Sequence, residues 1–140
     1  MTQFSQSDVK ILVVDDETDR EPLIRQKFRR QIREKTYSFI FAVNGLDALT
    51  KILEFPEIGI VLSDINMPEM DGLTLLTKLK ELKNPKLKTV IVSAYGDMDN
   101  IRTAMNRGAF DFITKPVDFE DLEITINKTM EEIMLIRRSM

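Results

Sequence analysis

Five short and nearly continuous apolar runs recur along the chain, and polar residues follow each of them. The runs occupy residues 10–14, 37–43, 58–63, 87–92 and 110–114. Runs of this length without polar alternation are typical of strands that are buried on both faces of a sheet. The pattern therefore predicts five buried strands.

Between these runs, apolar residues recur every three or four positions, which is the spacing of one helix face. Ile24, Phe28 and Ile32 mark a first helix, with Pro22 tolerated in its opening turn. Similar spacing predicts helices at 46–56, 73–84, 97–107 and from 118 onward. Strands that alternate with helices over short connections indicate right-handed crossovers. We predict a doubly wound α/β fold with a five-stranded parallel sheet and five helices.

The chain of 140 residues suits one domain with one core. We predict a flexible tail at 1–8, a domain at 9–130, and a continuation of the last helix at 131–140. That helix carries apolar residues at a 3-4 spacing. They are Phe119, Leu122, Ile126, Thr129, Ile133 and Ile136. We expect the last apolar residues of this series, with Met130 and Met134, to lie beyond the sheet. This part of the helix would then be a linker to an output domain or a dimer contact. The alternative is that the helix frays after about residue 130.

Composition removes several classes of chemistry. The chain has no cysteine and no histidine, so thiolate or imidazole metal sites and Ser-His-Asp catalysis are excluded. The net charge of −3 argues against nucleic-acid binding by the whole surface. The apolar runs are too short to span a membrane, and the first eight residues lack the features of a signal peptide. We expect a cytoplasmic protein.

The predicted strands end in polar residues whose chemistry is complementary. Asp15 and Asp16 follow the first strand, Asp64 the third, Ser93 the fourth and Lys115 the fifth. Ligands of open parallel sheets bind at this edge. Three carboxylates repel one another unless a cation lies among them, and Mg²⁺ prefers such oxygen ligands. Lysine and serine can bind phosphoryl oxygens, and a carboxylate can be a nucleophile. The set predicts Mg²⁺-assisted phosphoryl transfer to or at a carboxylate.

Each of these residues also has a plainer interpretation. Asp15 and Asp16 could cap the next helix, and Asp64 could be a turn residue. Ser93 after a strand is commonplace, and Lys115 could belong to an ordinary loop. The functional interpretation therefore depends on the joint pattern at several strand ends.

The motifs that surround these residues resemble the receiver domain of two-component response regulators. They are ILVVDDE (11–17), Asn44-Gly45 with Ala48-Leu49, LSDINMPEMDG (62–72), VSAYG (92–96) and GAFDFITKP (108–116). The resemblance extends over about residues 9–130. It implies a flavodoxin-like fold with strand order 2-1-3-4-5.

The resemblance also implies roles for the acidic residues. Asp64 would be the phosphoacceptor. Asp16, Asp64 and the backbone carbonyl of Asn66 would bind Mg²⁺, and Asp15 would assist through a water molecule. Asn66 and Tyr95 would flank the hydrolytic water and tune the phosphate lifetime.

Lys115 would pair with the phosphoryl group, and Ser93 would donate a hydrogen bond to it. The family usually holds the bond between Lys115 and Pro116 in cis. The switch aromatic is Phe112 here, where many members have tyrosine or histidine. Phe112 can still turn inward with Ser93, but it has no hydroxyl, and it could equally be plain strand core.

Implied partners are a sensor histidine kinase or phosphotransfer protein and a downstream output domain or protein; a homodimer is a further candidate. The first helix is strongly basic, which fits either a docking surface or a solvated face. Its basic residues are Arg20, Arg25, Lys27, Arg29, Arg30, Arg33 and Lys35, against only Glu21 and Glu34. We expect no direct contact with nucleic acid or membrane.

Two other functions compete with this hypothesis. A Mg²⁺-dependent phosphatase of the haloacid-dehalogenase type also uses an aspartate nucleophile, but it typically has D-x-D after the first strand and cap segments. A calcium loop at Asp64, Asn66 and Asp71 has the wrong spacing, because Pro68 occupies a ligand position.

Overall fold

Five parallel strands form one sheet in the computed structural model, which describes residues 9–139. They are β1 (Lys10–Val14), β2 (Ser38–Ala42), β3 (Ile58–Asp64), β4 (Lys88–Ala94) and β5 (Asp111–Lys115). The order across the sheet is β2-β1-β3-β4-β5, as the resemblance implies. The predicted tail at 1–8 lies outside the described residues. Asp64, Ser93 and Lys115 lie inside their strands, near the carboxyl ends, rather than just after them.

Six helices occur within residues 9–139 where the pattern predicts five. They are α1 (Arg20–Lys27), α2 (Arg29–Arg33), α3 (Gly45–Glu54), α4 (Gly72–Glu81), α5 (Met98–Asn106) and α6 (Phe119–Arg138). The predicted first helix is divided at Phe28, whose backbone departs from helical angles at φ −107° and ψ 25°. The Phe28 ring lies among those of Tyr37, Phe39 and Phe119. These partners are distant in sequence, so helical spacing alone does not predict the break.

Side-chain caps explain where three of the helices begin. Asn44 accepts a hydrogen bond from the Asp47 backbone N–H at 2.8 Å, at the start of α3. Asp71 accepts one from Thr74 N–H at 2.8 Å, at the start of α4. Asp118 does the same for α6. Such caps satisfy backbone N–H groups that have no partner within the helix.

The strands divide their side chains between two apolar layers. Ile11 and Val13 of β1 face the layer that contains residues of α1 and α6. Leu12 and Val14 face the opposite layer, with residues of α3 and α4. This alternation is the two-residue period of a strand. The central strand β3 is buried over its whole length, so Asp64 extends from a well-packed core.

The structure corrects the expectation that the end of α6 is uncovered. Met130 and Ile133 are 0% exposed and belong to the core layer shared with α1. Gly59 of β3 explains the close approach, because a Cβ there would lie 2.8 Å from Val9 Cγ1 and 3.3 Å from Ile133 Cδ1. The exposed apolar residues of the helix are instead Ile124 and Leu135. No helix within residues 9–139 is both long and apolar enough to cross a membrane.

Polar contacts also attach α6 to the β2 side of the domain. The Tyr37 hydroxyl donates to Asn127 Oδ1 at 2.6 Å, and Gln31 Nε2 donates to Glu123 Oε2 at 3.0 Å. Burial of the hydroxyl, together with the nearby Glu123 carboxylate, raises the pKa of Tyr37 from 10.0 to about 12. The folded domain therefore holds Tyr37 neutral over a pH range in which the unfolded chain ionises.

This difference predicts alkaline destabilisation. Below pH 10 both states hold the Tyr37 proton, and above it the unfolded chain loses that proton first, so stability falls as pH rises. We expect Tyr37 to contribute a loss of about 2–3 kcal/mol in unfolding free energy between about pH 10 and pH 12. Urea unfolding of Tyr37→Phe should lack this part of the loss. Tyr95→Phe is the matched control, because Tyr95 is 85% exposed and should leave the loss unchanged. Identical pH profiles for both variants would contradict the assignment.

Candidate functional site

Three carboxylates from two neighbouring strands meet at one edge of the sheet. Asp64 is the last residue of β3 and is 7% exposed, while Asp15 and Asp16 follow β1 directly. Parallel pairing of β1 with β3 places Val14 beside Ser63, so the two strand ends coincide. One carboxylate oxygen from each aspartate lies within 4.8 Å of the others. The structure thus brings together the acidic residues that the sequence predicts to be adjacent.

The two aspartates after β1 lie in different environments. Asp15 Oδ1 accepts a hydrogen bond from Glu17 N–H at 2.9 Å, and Arg20 Nε lies 3.9 Å from Asp15 Oδ2. Burial raises the pKa of Asp15, and the Glu17 N–H opposes that rise. Asp16 is exposed, and within residues 9–139 its carboxylate has no hydrogen bond or ion pair with another residue. Clustered carboxylate oxygens of this kind are the donors that Mg²⁺ takes, so the residues present fit that ion.

Lys115 brings a positive charge to the same edge. Its Nζ lies 2.6 Å from Asp64 Oδ2, although the two residues are 51 positions apart in sequence. Lys115 ends β5, and the bond from Lys115 to Pro116 is cis, as the resemblance implies. Asp64 therefore lies between a lysine ammonium group and two further carboxylates.

The hydroxyl of Ser93 has a partner that the sequence does not predict. Ser93 lies on β4 next to β3 and is 2% exposed. Its Oγ donates to Asp97 Oδ2 at 3.2 Å, and Asn100 Nδ2 donates to the same oxygen at 2.9 Å. In the sequence, Asp97 reads only as the beginning of a helix. Its position four residues after Ser93 is the one local signal that could have indicated the contact.

Phe112 and Asn66 occupy more open positions. Phe112 lies on the edge strand β5 and is 37% exposed, so its ring is partly outside the core. Asn66 is exposed in the loop after β3. The Asp71 side chain caps α4 and does not belong to the acidic cluster, unlike the arrangement of the calcium-loop alternative.

A glycine holds the loop after Asp64 against the strand. Gly72 N–H donates to the Ile65 carbonyl oxygen at 2.7 Å. A Cβ at Gly72 would lie 2.2 Å from the Asp64 carbonyl oxygen and 2.9 Å from Ile65 Cα. The α4 end therefore touches the backbone that carries Asp64. In the sequence, this glycine is only the last residue of a loop motif.

Two of the basic side chains of α1 already have acidic partners within the domain. Arg20 lies within ion-pair distance of Asp15 and Glu17, and Arg25 pairs with Glu21. The other basic residues of α1 and α2 are exposed, as is Lys35. A mostly apolar cavity of about 290 Å³ lies between α1 and the segment after β5. Asp64 is one of its lining residues. Asp64 and Arg20 of α1 therefore line the same cavity.

Comparisons with known proteins agree with this geometry. Residues 11–127 match the family described as the response regulator receiver domain, and the chain belongs to that family. Receiver domains are the input modules of two-component response regulators. The family match does not favour the phosphatase alternative.

Curated relatives differ in how much of their length the chain spans. Transcriptional regulatory protein ZraR of Klebsiella oxytoca is 35% identical over 132 residues, which is 94% of this chain and 28% of that protein. Sporulation initiation phosphotransferase F of Bacillus subtilis (strain 168) is 32% identical over 120 residues, 85% of this chain and 91% of that protein. The chain thus spans little more than a quarter of the first relative.

Solved structures show the same fold. A response regulator receiver domain protein from Clostridium thermocellum is 31% identical with a TM-score of 0.77, covering 91% of this chain and 98% of that one. A CheY-like receiver domain protein from Methanospirillum hungatei JF-1 is also 31% identical, with a TM-score of 0.73 over 89% of this chain and 94% of that one.

Proposed function

We propose that this receiver domain accepts a phosphoryl group on Asp64 from a sensor histidine kinase or a phosphotransfer protein. An Asp64 carboxylate oxygen attacks phosphorus, the phosphorus–nitrogen bond of the donor's phosphohistidine breaks, and the imidazole leaves. The observation that supports this role is the position of Asp64, between the acidic pair and Lys115 at 2.6 Å. The domain would catalyse only its own phosphorylation and slow dephosphorylation, without turnover of separate substrates.

The surrounding residues would share the charge of the phosphoryl group. Lys115 is placed to contact a phosphoryl oxygen once the group is attached, because its ammonium already contacts the acceptor carboxylate. Asp16, Asp64 and the Asn66 carbonyl would hold Mg²⁺ directly, and Asp15 would hold it through water. When bound, the ion neutralises charge between the carboxylates and an anionic donor.

The output side of the proposal concerns Ser93, Phe112 and the last helix. On phosphorylation the Ser93 hydroxyl would turn toward Asp64, and the Phe112 ring, now partly exposed, would move inward. Residues 131–138 continue α6 and expose Leu135, which fits a linker to an output domain or a dimer contact. The exposed basic residues of α1 and α2 fit docking of the donor in the cytoplasm.

Incubation with acetyl phosphate and Mg²⁺, followed by intact mass measurement, tests the function. We expect one added phosphoryl group that EDTA prevents. Continuous release of inorganic phosphate from many phosphoesters, without a stable adduct, would instead support a hydrolase.

The metal assignment predicts unequal effects at the acidic pair. Asp16→Ala removes a carboxylate that is free for the ion, whereas Asp15 is already engaged by Glu17 and Arg20. We expect Asp16→Ala to weaken Mg²⁺ binding about tenfold or more, and Asp15→Ala to weaken it less. Calorimetric Mg²⁺ titration measures both affinities. Asp19→Ala, in the same segment but outside the cluster, is the control and should bind as wild type does. Equal affinity in all four proteins would refute the assignment.

A further inference from the structure

Asp97 occupies the N-cap position of α5 but does not use its side chain as a cap. The side chains at the same position of α3, α4 and α6 accept hydrogen bonds from backbone N–H groups of the first turn. At α5 no such bond forms. The Asp97 carboxylate is instead engaged by Ser93 Oγ at 3.2 Å and Asn100 Nδ2 at 2.9 Å. The Asp97 carboxylate therefore bonds to a side chain of β4 and to a side chain of α5, and not to the backbone N–H groups that it could cap.

The Ser93 hydroxyl can serve only one acceptor at a time. A serine hydroxyl carries a single proton to donate, and Ser93 is buried. In this structure the proton is donated to Asp97. A bond from the same hydroxyl to a phosphoryl group on Asp64 would require the bond to Asp97 to break. The two hydrogen bonds are mutually exclusive.

We propose that Asp97 is a positioning residue that holds the Ser93 hydroxyl away from Asp64 in the unphosphorylated protein. This inference rests on the proposed phosphorylation of Asp64. When the hydroxyl turns to the phosphoryl group, the Asp97 carboxylate loses that partner and becomes free to accept from the first N–H groups of α5. Phosphorylation thereby converts a Ser93–Asp97 contact into a cap on α5.

The Ser93–Asp97 hydrogen bond opposes the active state. A hydrogen bond to a charged acceptor is among the stronger ones in proteins, so breaking it reduces the population of the state that binds a phosphoryl group. The new cap on α5 offsets part of the free energy that is lost when the Ser93–Asp97 hydrogen bond breaks. Removing the carboxylate should therefore favour the active state, but only while Ser93 has a hydroxyl to release.

Beryllofluoride, a phosphoryl analogue, tests the inference when titrated with Mg²⁺ and followed by NMR of the whole chain. We expect Asp97→Ala to bind it roughly threefold to tenfold more tightly than wild type, and Asp97→Asn to lie between the two. In a Ser93→Ala background, Asp97→Ala should change the affinity by less than about twofold. In wild type, the amide protons of Asp99 and Asn100 should shift as the new cap forms.

Asp99→Ala is the matched control, because it removes a carboxylate from the same helix end without touching Ser93. It reports how much loss of negative charge alone tightens binding, and we expect less than about twofold. Equal tightening by Asp97→Ala with and without the Ser93 hydroxyl would overturn the inference, as would unchanged affinity in both Asp97 variants. Failure of the wild type to bind beryllofluoride at all would overturn the proposed function, and the inference with it.

Discussion

Asp64→Asn should abolish phosphorylation by a small phosphodonor and leave the domain folded. The amide oxygen that replaces the carboxylate is not nucleophilic, and it is a weaker ligand for Mg²⁺. The side chain keeps its size and can still accept a hydrogen bond from Lys115, which now contacts Asp64 Oδ2 at 2.6 Å. Because Asp64 is buried between acidic neighbours, losing its charge should cost little stability.

Intact mass after incubation with acetyl phosphate at saturating Mg²⁺ measures the effect, with urea unfolding as the check on folding. We expect labelling to fall at least about a hundredfold, since Asp64 is the carboxylate that forms the ion pair with Lys115 within residues 9–139. Asp71→Asn is the matched control, because the change is the same and asparagine can still cap α4. Wild-type labelling of the Asp64 variant, or equal loss in both variants, would refute the assignment of the phosphoacceptor.

Gly72→Ala should destabilise the domain by about 3 kcal/mol or more, a large effect for one methyl group. The added Cβ would lie 2.2 Å from the Asp64 carbonyl oxygen, which is backbone and cannot rotate away as a side chain can. Relief of the clash must move either α4 or the end of β3. The same movement should displace the Asp64 carboxylate and slow its phosphorylation.

Gly96→Ala is the informative control for this substitution. A Cβ at Gly96 meets nothing within 4 Å, but the residue has φ +87°, so alanine there is strained. That strain should cost about 1–2 kcal/mol without any steric clash. Urea unfolding of the two variants separates backbone strain from steric contact. If the unfolding free energy of Gly72→Ala lies within about 1 kcal/mol of the wild-type value, α4 packs less closely on the Asp64 backbone than the 2.2 Å separation implies.

The candidate site could be predicted from local signals because the sheet is parallel. The three aspartates, Ser93 and Lys115 lie at or directly after the ends of apolar runs, and all such ends meet at one edge. Asp64 and Lys115 are therefore close in space without any sequence signal that pairs them directly. The family motifs add the strand order, which apolar runs alone do not specify. The individual roles at the site stay predictions for the experiments described.

Structural features that depend on contacts between residues far apart in the sequence could not be predicted in the same way. The break at Phe28 arises where its ring meets rings from β2 and α6. The close packing of Ile133 depends on Gly59, a residue of a different element. Helical spacing indicates which residues share a face, but it does not indicate what covers that face.

The sequence by itself determined the five strands, the class of fold and the polar residues at the strand ends, because the spacing of apolar residues and the polar residues that follow each run are local properties of the chain. Only the tertiary structure decided that Ser93 donates to Asp97, that Gly72 packs on the backbone of Asp64, and that α6 is covered beyond Met130. A hydroxyl or carboxylate bonds to whichever partner the packed chain places within about 3 Å, and the apolar pattern of the sequence does not specify that partner.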